Sequence, residues 1–341
     1  MTERPTEAFL NRFGMTVAKS MHANTTLSLI ALGMQLFMCI YGLAAFLETS
    51  REKRKGRIPF IITSFVIFTL SAYNLAMDSI LVFQVLFHGG PTGALFIEAL
   101  QTIYPTSIVG WSISGAMAMV LYIAVGDFLL LYRCFILWRH RWMSVMVLPG
   151  LTFFSSFATG LATSFPFAVP AYKTLGLVWT FTSVATNIIV SILLVFRLVR
   201  AQQDLRQAMP STSRTGTYSG IIAILVESAA PLTLSGIAFA IVVVQQVGLP
   251  YTDEDWVEIS AAEFAFAALY YSFCALSPQM IIFRVTTGGS WSTVGRGSDA
   301  ATEVFSRPLE FITARGVQRQ GSVSDSLGDQ SCASRNDNTG V

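Results

Sequence analysis

Five ionisable side chains stand inside long apolar stretches of this 341-residue chain: Asp78, Asp127, Arg133, Glu227 and Glu263. A charge in hydrocarbon is costly and is kept where it is paired, hydrated or used. Counting at the helical rise, Asp127 and Glu227 both fall roughly 15 Å from the basic ends of their stretches, and Asn187 falls at the same depth. The spacing predicts a polar layer across three helices, able to act as hydrogen-bonded glue or as a switch, because two adjacent carboxyls in low dielectric cannot both carry charge. Pro231 sharpens the switch reading. It has no N–H for the carbonyl of Glu227, so a kink is expected at the buried acid, with Gly236 loosening the helix further on.

A second group of acids lies toward the other end. Asp78 is roughly 30 Å from the start of its stretch. It is expected near Glu263, Asp253, Glu254 and Asp255, with Glu98 and Glu258 close by, as an acidic mouth attracting a cationic ligand. Catalytic readings lack their residues. His22, His88 and His140 fall in connecting segments rather than forming a metal cluster, and the last stretch has no lysine for a retinal Schiff base. Ala124-Val125-Gly126-Asp127 and Ser112-Ile113-Ser114-Gly115 each miss a glycine of the intramembrane aspartyl and serine protease motifs. The expectation is therefore a non-enzyme with no metal and no cofactor.

The elements that must position these groups are seven candidate bilayer-spanning helices near 25 to 47, 58 to 87, 106 to 138, 142 to 163, 173 to 199, 218 to 247 and 259 to 283. Their connections alternate in charge. Arg51, Lys53, Arg54, Lys55 and Arg57 follow the first span, Arg139 and Arg141 the third, and Arg200, Arg206 and Arg214 the fifth. Of 22 basic residues only Arg4, Arg12, Lys19 and Lys173 fall on the opposite side. The positive-inside rule then predicts an all-α seven-helix membrane bundle with the N-terminus outside and the C-terminus cytoplasmic. With 53% apolar and 12% charged residues, the chain departs from soluble domains, which carry about twice that charge. Short basic loops without a fold to present them do not suit nucleic acid.

Three regions follow: an extracellular segment 1–24, the membrane domain 25–283, and a cytoplasmic tail 284–341 whose Ser-, Gly- and Asp-rich composition predicts disorder. Residues 1–24 lack the pattern of a cleavable signal peptide. Cys39, Cys134, Cys274 and Cys332 fall in spans or tail, which leaves no disulfide between outer loops. Leu95, Phe96, Ala99, Leu100 and Ile103 recur at helical spacing between Pro91 and Pro105, predicting a short helix on the outer surface, either a connector or a lid. Trp111, Trp179 and Trp256 toward the outer side, and Trp138, Trp142 and Trp291 toward the inner, are expected as interfacial anchors.

Several segments together resemble a family of seven-span integral membrane proteins of mushroom-forming (basidiomycete) fungi. They are Asp127-Phe128-Leu129-Leu130-Leu131-Tyr132-Arg133-Cys134, Val226-Glu227-Ser228-Ala229, and Leu276-Ser277-Pro278-Gln279-Met280 running on to Val285. The resemblance covers the membrane domain and implies its architecture; it brings no activity with it. The architecture is also similar to that of G-protein-coupled receptors, although no Asp-Arg-Tyr ends span three and Ser277-Pro278-Gln279-Met280-Ile281 stands where Asn-Pro-x-x-Tyr would be. Pro278-Gln279 resembles the dipeptide of PQ-loop transporters, which carry it once in each of two repeats; here it occurs once. The expectation is a receptor-like sensor of an extracellular ligand, with a small-solute transporter and a membrane scaffold as alternatives. Its partners would be the bilayer and a cytoplasmic protein at the inner loops and tail. The plasma membrane is the expected location, with an endomembrane as the alternative.

Overall fold

The computed structural model describes residues 6–48, 57–107, 113–138, 143–165, 172–208, 215–248 and 254–291. Residues 49–56 of the basic first loop, Asp253 and the tail beyond 291 lie outside the described residues, as do the side chains of Glu227 and Glu254. The described residues form helices α1 (Glu7–Glu48), α2 (Ile58–His88), α3 (Gly93–Ser107), α4 (Ile113–Trp138), α5 (Val147–Ser164), α6 (Tyr172–Ala208), α7 (Thr215–Gly248) and α8 (Glu254–Trp291), with a 3-10 turn Met143–Met146 leading into α5. Six of these helices are long and apolar enough to cross a membrane. Large apolar side chains on them point outward, with Phe87 74% and Leu234 68% exposed, as a lipid-facing surface requires. The protein is a multi-pass helical membrane bundle.

Of the two remaining helices, α3 and α5, the longer is α5, which is rich in hydroxyls. Those hydroxyls turn back onto the helix: Thr159 donates to Ser155 O at 2.8 Å, and Thr163 and Ser164 to Gly160 O at 2.8 and 3.1 Å. Their polar atoms are thus satisfied locally, which makes the segment compatible with an apolar setting.

Seven helices pack in a ring that follows chain order, α1 on α2, α2 on α4, then α4 to α8 in sequence, and α8 closes on α1 in the most extensive pairing. The directions are legible from paired residues. Gln35 meets Ser71 and Cys39 meets Ser64, so α1 and α2 are antiparallel; Phe13 meets Trp256 and Tyr41 meets Phe283, so α1 and α8 are parallel. The centre is filled by Ile67, Val120, Ile123, Leu232, Phe239, Tyr270 and their neighbours.

The helix boundaries differ from the expected spans at both ends of the domain. α1 begins at Glu7 instead of near 25. The added turns carry Phe9, Phe13, Val17 and Met21 at four-residue spacing, one stripe of a helix, and this stripe packs on Val85, Phe96, Ile97 and Val257. α8 runs on to Trp291, past the expected limit of 283. The expected surface helix is present as α3 and continues through Pro105 to Ser107. It sits against α1 so closely that a Cβ at Gly14 would overlap the Gly93 carbonyl, and Asn11 Oδ1 accepts the Gly93 N–H at 2.6 Å. Gly90, at φ +64°, provides the left-handed residue that reverses the chain between α2 and α3.

Candidate functional site

The end of the bundle where α1 and α8 start and α2 finishes holds a cavity of about 580 Å³. It is bounded by α1, α2, α3 and α8 and lined by apolar side chains including Val17, Leu75, Leu81 and Phe264. Its polar lining consists of Asn24, Thr25, Ser28, Gln101 and one carboxyl, Asp78. Asn74, one turn before, donates to Asp78 Oδ2 at 3.4 Å. Among the described residues no Lys, Arg or His is in the lining. Asn24, which begins an Asn-Thr-Thr sequon, faces this cavity from within a helix and takes a bond from Ser28 at 3.4 Å, so it is not the loop position that glycosylation needs.

The acids expected to form one mouth do not converge on this cavity. Glu258 pairs with Arg12 at 3.8 Å across exposed surface, worth about 0–1 kcal/mol. Glu263 bonds to Gln246 on α7 and is outside the lining. Asp255 is exposed at the start of α8, and Glu98 is exposed on α3. Asp253, and the side chain of Glu254, lie outside the described residues. Of the described acids in the expected group, Asp78 is the one that lines the cavity.

Among the described side chains, the deeper layer brings Asp127 and Asn187 together and adds groups of α8. Asp127 is buried on α4 and hydrogen-bonds the side chain of Asn187 on α6. Asn187 Nδ2 also donates to Ser183 O at 3.1 Å, and its Oδ1 is buried with no partner. One turn away the Ser183 hydroxyl meets the Tyr270 hydroxyl at 2.7 Å. Tyr270 and Cys274, both on α8, are close enough to Asp127 to interact electrostatically with it. The layer thus joins α4, α6 and α8. Glu227 is on α7, whose helix runs without interruption through Pro231; its side chain is outside the described residues.

Sequence reasoning missed Tyr270 and misread Trp179. Gly236 gives room to the Tyr270 ring, whose Cε2 would be 3.1 Å from a Cβ there. Trp179 is buried instead of anchoring at an interface; it stacks on Tyr271 at 6.0 Å and covers Gly160. The expected break at Pro231 also has a counterpart at Pro278. The carbonyl that Pro278 cannot bond belongs to Cys274, and Gly126, adjacent to Asp127, would place a Cβ 3.3 Å from that carbonyl and 3.2 Å from the proline ring.

Gln279 is fully buried and binds Ser64 O at 3.3 Å, while Cys39 Sγ lies 3.2 Å from Ser64 Oγ and 3.9 Å from Gln279 Oε1. The dipeptide Pro278-Gln279 thereby ties α8 to α1 and α2. At the opposite end from the cavity, Arg133 has both terminal nitrogens buried and unbonded, with its Cζ 5.6 Å from the centre of the Phe60 ring. A cation–π contact of this kind contributes up to about 2 kcal/mol. Burying an ion costs several kcal/mol, which the ring does not offset. Nearby, Arg57 is buried at the start of α2 and donates from Nη1 to Thr286 O at 3.3 Å; desolvation there pushes its guanidinium below the usual range.

No family model matches the chain, and no curated protein matches it.

Proposed function

We propose that the protein is a seven-span, receptor-like membrane protein whose outer cavity takes an amphipathic cation, with the N-terminus outside and the tail cytoplasmic. The observation that carries this reading is Asp78: among the described residues it is the one carboxyl, with no cation beside it, in a largely apolar cavity of ligand size. An ammonium would meet the carboxyl while its hydrocarbon body covered Leu75, Leu81 and Phe264. The amides of Gln101 and Asn24 and the hydroxyl of Ser28 suit further polar groups on such a ligand. Resemblance to the fungal seven-span family, on residues 127–134, 226–229 and 276–285, belongs to the same proposal.

Support over the transporter comes from what lies beneath the cavity. Ile67, Val120, Ile123 and Tyr270 pack across the middle of the ring, and Gln279 serves to join helices. A sensor needs a closed floor through which helix positions can respond, whereas a solute path needs an opening.

The test uses purified full-length protein in neutral nanodiscs, titrated with octylamine, octanol and octanoate. Octylammonium is expected to raise Tm, and Asp78→Asn to weaken that effect about ten-fold, the loss of one charge-assisted contact. Asp78→Glu should restore part of it. Equal stabilisation by all three compounds, or an unaltered response in Asp78→Asn, would sink the reading.

A further inference from the structure

Arg133 stands about 7–8 Å before the end of α4, and the helix turn it faces is the first turn of α2. Phe60, whose ring lies under its guanidinium, is the third residue of that helix. Arg57 immediately precedes the helix and is buried in turn. Two guanidinium groups therefore flank a helix N-terminus, where the backbone dipole is itself positive. The 31-residue length of α2 gives that dipole its full terminal value.

Nothing negative among the described side chains answers them. Asp127 is about 9 Å back along α4 and is engaged with Asn187 on α6. The terminal nitrogens of Arg133 have no hydrogen-bond partner among the described residues. Arg57 spends one nitrogen on a backbone carbonyl, which carries no net charge.

We propose that Arg133, backed by Arg57 and the first turn of α2, binds a phosphate group at this end of the bundle. The guanidinium fork matches two phosphate oxygens at once, which an ammonium cannot do. The helix N-terminus adds an anion-favouring field from the other side. The Phe60 ring supports the plane of the fork and fixes the direction in which it points. Depth also agrees: a group this close to the helix end lies near the level of lipid headgroups. Ile58, Tyr132 and Phe135 beside it are 43%, 50% and 39% exposed, so hydrocarbon chains attached to the phosphate would have a surface to lie on. A headgroup phosphate and a free phosphate share this chemistry. The proposal does not depend on which side of the membrane this end faces.

The experiment places the full chain in phosphatidylcholine nanodiscs in two arms. In one, a fraction of the lipid is replaced by phosphatidylinositol bisphosphate; in the other, the discs stay neutral and sodium phosphate is titrated. Retained lipid is read by native mass spectrometry and stability by Tm. Wild type is expected to hold the phosphoinositide about ten-fold more strongly than Arg133→Gln. Arg133→Lys, which keeps charge and loses the fork, should fall between. Arg200→Gln, an exposed arginine stacked on Phe196, should match wild type. An Arg133-dependent response to sodium phosphate in neutral discs supports the site and makes free phosphate its ligand. Equal retention by wild type, Arg133→Gln and Arg133→Lys in both arms overturns the proposal. Should both variants fail to fold, a wild-type Tm insensitive to either phosphate overturns it as well.

Discussion

Tyr270 is fully buried, stacks on Phe239 at 5.7 Å, fits over Gly236 and shares a 2.7 Å hydrogen bond with Ser183. Phenylalanine in its place would keep the ring and strand the Ser183 hydroxyl in a buried site. The expected loss for Tyr270→Phe is about 1–2 kcal/mol, read as a lower Tm in nanodiscs; an unchanged Tm would remove Tyr270 from the layer. Asp127 and Asn187 were legible in the sequence because an acid and an amide at one computed depth have few other reasons to be there. Tyr270 was not. A tyrosine in an apolar stretch reads equally as a core ring or an interfacial one, and the distinction depends on which neighbour leaves space. That neighbour is a glycine on another helix, and a lone sequence does not pair the two.

Helix α3 is held to α1 through a backbone-to-backbone approach that only glycine permits at Gly14 and Gly93. Gly93→Val should therefore separate α3 from the first turns of α1, exposing amides of residues 93–107 to hydrogen exchange while those of α4 remain protected. Equal exchange in wild type and variant would show that the packing of Phe96 and Ile97 holds the element without the glycine contact. At this scale the existence of each membrane helix was readable from its apolar length, and α3 from its spacing between prolines. The first turns of α1 were invisible to the same reading. Their stripe of Phe9, Phe13, Val17 and Met21 alternates with polar residues, and a window wide enough to find a membrane span averages it away. Pro231 was readable because the carbonyl it leaves free belongs to an acid, whereas Pro278 matters through Gly126, a contact again made by a small residue on a separate helix.

For the whole molecule the charge alternation predicts that a tag at the C-terminus is reached by antibody only after permeabilisation, and one at the N-terminus in intact cells. Surface staining of the C-terminal tag would reverse the orientation and place the Asp78 cavity on the cytoplasmic side. The closed ring has another consequence, one of order in time. α1 is made first and α8 last, yet theirs is the most extensive pairing, and Cys39 and Gln279 in the shared polar contact are separated by 240 positions. At about 5–20 residues per second, α1 would wait on the order of tens of seconds in lipid before its principal neighbour emerges. Ser64 and Ser71 on α2 arrive early enough to occupy Cys39 and Gln35. The hairpin of the first two helices can thus shelter α1's polar atoms during synthesis, with Gln279 completing the contact only when the ring closes.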